Sequence, residues 1–234
     1  MDTNVRFQQI AEKVYAGERL SRDDGLFLFD PGVSLHEVGE LADIVRTRLN
    51  SDFGYYNLNA HLNPTNVCRF RCPICAYSCD PGESRGFVMT DEQILDHAAQ
   101  AVEGGATEIH IVGGLHPEMP YEWYRNLIQL LHDAYPEVHL KAWTAVEIAE
   151  FARMRACSFT EVLEELIAAG LGSMPGGGAE IFHDEVRRVV SPDKPDADIW
   201  LEVHAAAHRL GLKTNATMLF GHIENIAHRV DHLL

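Results

Sequence analysis

The spacing of apolar residues along the chain changes character once, near residue 55. Before that point the period is helical: Phe7, Ile10, Ala11 and Val14 share one face. Ser34 with Glu37 three residues later forms a capping-box start for an apolar-periodic run to Leu49, and Gly17–Ser21 breaks the two helices apart. After residue 55 the pattern becomes strand, loop, helix, repeated. Strands are predicted at Tyr56–Asn63, Glu108–Val112 and Val138–Trp143, with a short fourth inside 171–182 and a fifth at Leu212–Phe220. Helices between them start at Thr90 with Gln93, run over Tyr121–Tyr135 up to Pro136, start at Ser158 with Glu161, and run over Asp198–Leu210; a last one starts near Ile226. The pattern predicts a helical segment over 1–54 and an α/β region over 55–234.

Strands alternating with helices at this pitch imply a parallel sheet with right-handed crossovers. The special loops all fall after a strand and before a helix: the cysteine loop, Gly113–Pro117, Thr144–Glu147, Gly176–Gly178 and Gly221–Glu224. That placement suits a partial (β/α) barrel of TIM type, whose active site lies at the C-terminal strand ends. Five strands do not close such a barrel, and the last helix stops near Leu234, so a chain truncated after its fifth strand is expected. Within the strands, Asn57, Asn59, His61 and Asn63 share one face, as do Glu108 with His110, and His139 with Lys141 and Trp143. Ordinary barrels fill the interior with Val, Ile and Leu. A polar interior predicts a ligand-filled cavity, with a fully hydrogen-bonded polar core as the alternative.

Charge narrows the partners. Nineteen Lys and Arg against 35 Asp and Glu leave a net charge of −16. Nucleic-acid binders and proteins of anionic membrane surfaces carry basic patches, so neither partner is expected. No apolar run approaches the ~20 residues that cross a bilayer, and the N-terminus lacks a signal-peptide pattern. Five cysteines, an odd number with three clustered, suit a reducing cytosol better than a disulfide framework. The prediction is cytoplasmic.

The chemistry concentrates in Cys68-Arg-Phe-Arg-Cys72-Pro-Ile-Cys75. Three thiolates in this spacing select soft metals or iron–sulfur clusters. Two readings stand. With Cys79 as a fourth ligand, the run is a closed, non-catalytic metal module. Without it, a cubane cluster keeps one iron free of protein, open to a small chelating molecule. His204 and His208 lie four apart on a helix, but Ala205 stands where a zinc protease needs Glu, so they read as ordinary helix residues.

The Cys68–Cys75 trio resembles the cluster motif of the radical S-adenosylmethionine (SAM) superfamily, with Ile74 where an aromatic residue is usual. The flanks, His61–Cys68 and Cys75–Ser78, resemble the branch that contains aminofutalosine synthase, dehypoxanthine futalosine cyclase and FO synthase. Gly113–Glu118, His139–Ile148, Pro175–Ile181 and Thr214–His222 resemble the aminofutalosine synthase group in particular. The resemblance implies a radical SAM barrel with a helical preamble, a 4Fe–4S cluster on Cys68, Cys72 and Cys75, and SAM as second cofactor. It implies SAM contacts at Gly113, Gly114, Glu180 and Arg188. It implies addition of the 5′-deoxyadenosyl radical to 3-[(1-carboxyvinyl)oxy]benzoate, giving aminofutalosine for menaquinone synthesis, with an electron donor of flavodoxin or ferredoxin type. That aromatic dicarboxylate needs a cation, for which Lys141 is the candidate; His61, His116, Thr144, Glu147 and Asn215 are the other expected substrate-lining residues.

Overall fold

The computed structural model describes residues 2–234, which divide into two compact units. The first comprises the residues up to Tyr56 together with Phe220–Leu234. Its helices are α1 (Thr3–Ala16), α2 (Arg22–Leu28), α3 (Leu35–Asn50) and α10 (Ile226–Leu233). Phe7, Ala11 and Val14 of α1 bury against Leu41 of α3, as their spacing predicts. Helix α2 is additional to the sequence expectation; Ser21 and Asp24 cap it reciprocally, a signal the short apolar stretch hid. Helix α10 lies on α2, where a Cβ at Gly25 would stand 2.8 Å from Val230.

The second unit, Asn57–Leu219, carries a five-stranded parallel sheet in the order β1-β2-β3-β4-β5. The strands are β1 (Asn59–Leu62), β2 (Glu108–Ile111), β3 (His139–Ala142), β4 (Ser173–Met174) and β5 (Lys213–Thr214). The sheet is open, a partial barrel. Every strand is shorter than its hydrophobic pattern suggests, β5 most of all. The helices are α4 (Asp91–Glu103), α5 (Tyr121–Ala134), α6 (Ala145–Arg155), α7 (Phe159–Ala168), α8 (Asp184–Val190) and α9 (Ala197–Arg209). Helix α6 corrects the expectation of a loop at Thr144–Glu147. Thr144 is its N-cap and Glu147 closes the capping box, so the T-x-x-E signal was present in the sequence.

The strand alternation works as predicted on the apolar side within the strands, whereas Tyr56 and Leu58, expected on the first strand's apolar face, precede β1 and are exposed. Leu62, Ile109, Ile111, Leu140 and Ala142 join one core with Ile128 and Leu131 of α5, Phe151 of α6 and Leu163 of α7. Burying each of these large side chains contributes about 1.5–3 kcal/mol. Trp143 and Phe151 are fully buried, their ring centroids 5.8 Å apart, and Tyr124 completes a three-ring cluster at 5.4 and 4.8 Å from them.

The polar side divides into two levels. At the N-terminal ends of the strands it is a hydrogen-bonded network. Glu108 accepts from Asn57 (3.1 Å), Asn59 (2.6 Å) and Lys141 (2.8 Å), and His139 Nε2 meets Ser173 Oγ at 2.6 Å. Burial pushes the Glu108 carboxyl up, but Lys141 and Asn59 outweigh it and hold the group below its usual range. Toward the C-terminal ends, His61 and Asn63 face a cavity. The satisfied polar core thus describes the strand starts, and the strand ends open on a cavity.

Helix α9 packs its buried face on α6 and α7 and carries an unusual pair. His204, buried, stacks on Trp200 with centroids 3.6 Å apart, and its Nε2 has no hydrogen-bond partner among the described residues. Burial, with His208 nearby, lowers its pKa to about 4 from 6.5. The unfolded chain takes up a proton below 6.5 that the folded chain refuses until about 4, so this histidine's contribution is complete above pH 6.5 and is lost as pH falls toward 4. The loss amounts to about 3 kcal/mol across the window. Thermal unfolding followed from pH 7 to 4 should show this loss, and His204→Phe, which keeps the stack, should flatten the slope between pH 6.5 and 4 relative to the parent.

Candidate active site

The cysteine loop leaves the end of β1 and folds back over the sheet. Thr65 and Val88 form an antiparallel bridge, and Val67 bridges Cys79. Asn66 ties the far side of the loop: its Nδ2 donates to Arg85 O at 2.9 Å, and its Oδ1 accepts from Phe87 N at 2.9 Å and from Cys79 Sγ at 3.4 Å. Arg69 reaches Glu150 of α6, a carboxylate also held by Arg153 at 2.7 Å. Arg69 N donates to Leu115 O at 2.8 Å, and Arg71 N to Asp193 Oδ2 at 2.8 Å. The loop is therefore fixed at three separate places: the connection after β2, helix α6, and the loop between α8 and α9.

Gly113 and Gly114, after β2, make that docking possible. Neither has a left-handed φ. What they supply is room: a Cβ on Gly114 would stand 2.1 Å from Val67 O, and one on Gly113 would stand 3.1 Å from Thr65 O. Gly114 N also donates to Thr65 O at 2.8 Å.

Cys68, Cys72 and Cys75 line one cavity of about 410 Å³. Cys79 does not; it is fully buried beneath the loop against Asn66. All four are free thiols. Among the described residues no three His, Cys, Asp or Glu side chains converge tightly enough to hold a single metal ion. Three thiols spread around a shared space suit a multi-iron cluster better, because its ligands attach to different irons. Burial raises Cys68 and Cys72 above the usual thiol range. Burial also acts on Cys75, but the backbone N–H groups of Ser78 and Tyr77, the Ser78 hydroxyl and Lys194 outweigh it and hold this thiol low.

Among the other expected residues, Gly113, Glu180, His61, Thr144 and Glu147 line the same cavity. Gly114 supports it from behind. Gly114 is not itself in the wall, and four others do not line it either. Lys141 is spent on Glu108, one level down. His116 uses Nδ1 to accept from Glu118 N at 3.1 Å, closing its own turn. Asn215 is exposed, and its backbone pairs with Met174 O at 3.1 Å. Arg188 is exposed and bonds its own helix at Asp184 O, whereas its neighbour Arg187 is buried. Arg187 shares the inward face with Val186 and Val190, and its guanidinium holds the carbonyls of Gly178, Ala179 and Pro195. Helical phase separates these two arginines; residue type alone did not.

Lys194 is the residue that sequence reasoning missed. It comes from the loop between α8 and α9, stands in the cavity wall and pairs with Glu180. Burial works against its charge, but Glu180, Cys72 and Glu147 outweigh burial and raise its pKa. No motif announces it; only the fold brings Ser191–Pro195 beside the cysteines.

Two non-glycine residues at this site hold left-handed backbone, Trp143 (φ 56°) and Glu180 (φ 47°). Such conformations cost of order 1–3 kcal/mol and persist where packing enforces them. At Trp143 the turn swings the chain from β3 into the Thr144 cap. Thr144 N donates to Glu147 Oε2 at 2.9 Å, and the Thr144 hydroxyl bonds the same oxygen. Burial raises the pKa of Glu147 despite these bonds. Gly176–Gly178 closes over this cap: a Cβ on Gly178 would stand 2.4 Å from Val146 Cγ2, and one on Gly176 2.4 Å from Asn215 O.

Gly114→Ala should destabilise the protein by about 3 kcal/mol, because the clash is with backbone. Thermal denaturation should register a Tm lower by ~6–12 °C.

The Radical SAM superfamily model matches residues 62–234. Among curated proteins, the aminodeoxyfutalosine synthase of Streptomyces coelicolor is 45% identical over 100% of this chain and 60% of its own length. That of Thermus thermophilus is 41% identical over 97% and 61%. The 5-amino-6-(D-ribitylamino)uracil–L-tyrosine 4-hydroxyphenyl transferase of Microcystis aeruginosa is 38% identical over 96% and 61%. The chain thus spans about three fifths of these relatives' length. Among solved structures, methylornithine synthase superposes with a TM-score of 0.70 at 17% identity, covering 95% of this chain and 62% of that one, a likeness of fold.

Proposed function

The chain belongs to the radical SAM superfamily, and from that premise we propose that Cys68, Cys72 and Cys75 hold a 4Fe–4S cluster whose fourth iron binds SAM. The observation that carries this is the sharing of one cavity by three thiols while Cys79 turns away beneath the loop. The cluster, when bound, would supply one electron for reductive cleavage of SAM, chemistry suited to adding its adenosyl group to the vinyl carbon of 3-[(1-carboxyvinyl)oxy]benzoate on the way to aminofutalosine. The high identity to two aminodeoxyfutalosine synthases supports that substrate. The donor would be a small one-electron carrier of flavodoxin or ferredoxin type.

The residues of the chain bind and orient. The Gly113 backbone, held against the cysteine loop, offers polar groups at the cavity edge to an amino group. Lys194, which stands in the cavity wall paired with Glu180, supplies positive charge for a carboxylate, whereas Lys141 does not line the cavity and pairs with Glu108. Glu180 and Glu147 are acceptors for ammonium or hydroxyl groups, and the Thr144 cap keeps the Glu147 carboxyl oriented. His61 and Asn63, which also line the cavity, face the second substrate. The apolar part of the lining, Phe70, Val112, Leu115 and Val146, excludes water from the reacting centre.

Anaerobic reconstitution should load about four irons and four sulfides per chain, with 5′-deoxyadenosine or its adduct formed from SAM and dithionite. Cys68→Ala, Cys72→Ala and Cys75→Ala should each lose the cluster and the reaction, while Cys79→Ala keeps the iron. Loss of iron in the Cys79 variant as well would restore the four-cysteine module. Mass analysis of the nucleoside product then separates the benzoate ether from L-tyrosine with 5-amino-6-(D-ribitylamino)uracil, the pair named for the third relative.

A further inference from the structure

We propose that Lys194 is a potential-setting residue: a buried cation beside the cysteine loop that makes the cluster easier to reduce, opposed by Glu180. The inference rests on the assignment of Cys68, Cys72 and Cys75 as cluster ligands. Among the described residues that line the cavity, Lys194 alone carries a permanent positive charge, facing the carboxylates of Glu147 and Glu180. Its side chain is 19% exposed and that of Glu180 14%, so solvent screens the pair weakly.

The pair is built rather than incidental. Glu180 holds a left-handed backbone at φ 47°, and its carbonyl accepts from Leu219 N at 2.7 Å, which fixes where the carboxylate starts. The Lys194 backbone N–H closes a turn onto Ser191 O at 3.2 Å, which fixes the other partner. The pair is also placed beside the cysteines. Lys194 and Glu180 share the cavity wall with Cys68, Cys72 and Cys75, and the carboxylate of Asp193, the residue before Lys194, accepts from the backbone N–H of Arg71, the residue before Cys72, at 2.8 Å. A cluster on these cysteines therefore meets both charges of the pair.

Reduction adds one electron, and hence one negative charge, to a site already carrying three thiolates. A nearby cation stabilises the reduced form more than the oxidised form and raises the potential. Iron–sulfur potentials respond to net charge and to hydrogen bonds at sulfur in this way. Substituting a neutral residue for Lys194 should lower the potential. Removing the charge of Glu180 leaves the lysine unopposed and should raise it.

The test is an anaerobic redox titration of the reconstituted protein without SAM, followed by the electron paramagnetic resonance signal of the reduced cluster, with dithionite as the one-electron source. Lys194→Gln should shift the midpoint to more negative potential, Lys194→Arg should stay near the parent, and Glu180→Gln should shift it to more positive potential. Opposite signs for the two neutral variants are the signature that a merely structural role does not produce. Unchanged midpoints in both, or shifts of the same sign, overturn the proposal while leaving the cluster assignment intact. If Lys194→Gln loses its cluster, Glu180→Gln and Lys194→Arg decide. A parent chain that takes up no iron overturns the cluster assignment and this inference together, an outcome read from iron content before any titration.

Discussion

The site depends on one close contact, the seating of the cysteine loop against the end of β2 through two residues without side chains. The Val67 carbonyl occupies the space that a Cβ of residue 114 would need. That approach brings the loop within hydrogen-bonding reach of the sheet, at Gly114 N to Thr65 O and at Arg69 N to Leu115 O. With the loop held there, Cys68, Cys72 and Cys75 face a common space and Cys79 is trapped below. If the loop lifted, the thiols would lose the wall formed by β2, α6 and the glycine bend.

The second constraint is charge. The cavity holds two carboxylates and one ammonium beside three thiols, inside a chain of net charge −16. Concentrating negative charge in a sheltered space is costly unless each group is paired or hydrogen-bonded. Glu147 meets the condition through the Thr144 cap, Glu180 through Lys194, and Cys75 through the turn at Tyr77 and Ser78. The same economy explains the level below, where Glu108 collects Asn57, Asn59 and Lys141. Polar residues repeated along one strand face therefore serve two purposes, a closed network at the strand starts and an open cavity at the strand ends. The left-handed turn at Trp143 connects these levels to α6, because it delivers Thr144 to the cap position just where the cavity begins.

Much of this was present in the order of residues. Periodicity and caps are local, so α1, α3, α4, α5, α7 and the apolar faces of β1 to β3 follow from spacing alone. The C-x3-C-x2-C run likewise carries its own chemistry, since three soft ligands within one loop cannot be far apart. Where local signals were weak or read too narrowly, the elements were lost: α2 is one short capped turn pair, and α6 was concealed by a motif that looked like a loop although Thr144 and Glu147 formed a capping box.

The remaining site residues were decided by tertiary structure, for a physical reason. Whether a lysine is a free cation or half of a pair depends on what another strand places opposite it. Lys141 was spent on Glu108 because parallel register sets His110 of β2 beside it and Glu108 one step below, a relation no single strand contains. Lys194 was bound to the cavity by the path of a loop between two helices, which carries no periodicity to read. Arg187 and Arg188 are adjacent and chemically identical, and only the buried side of α8 distinguishes them. Order along the chain carries the three-thiol motif and most of the elements that frame it; the fold decided which charges meet it, because charge pairing is a property of approach in space and not of order along the chain.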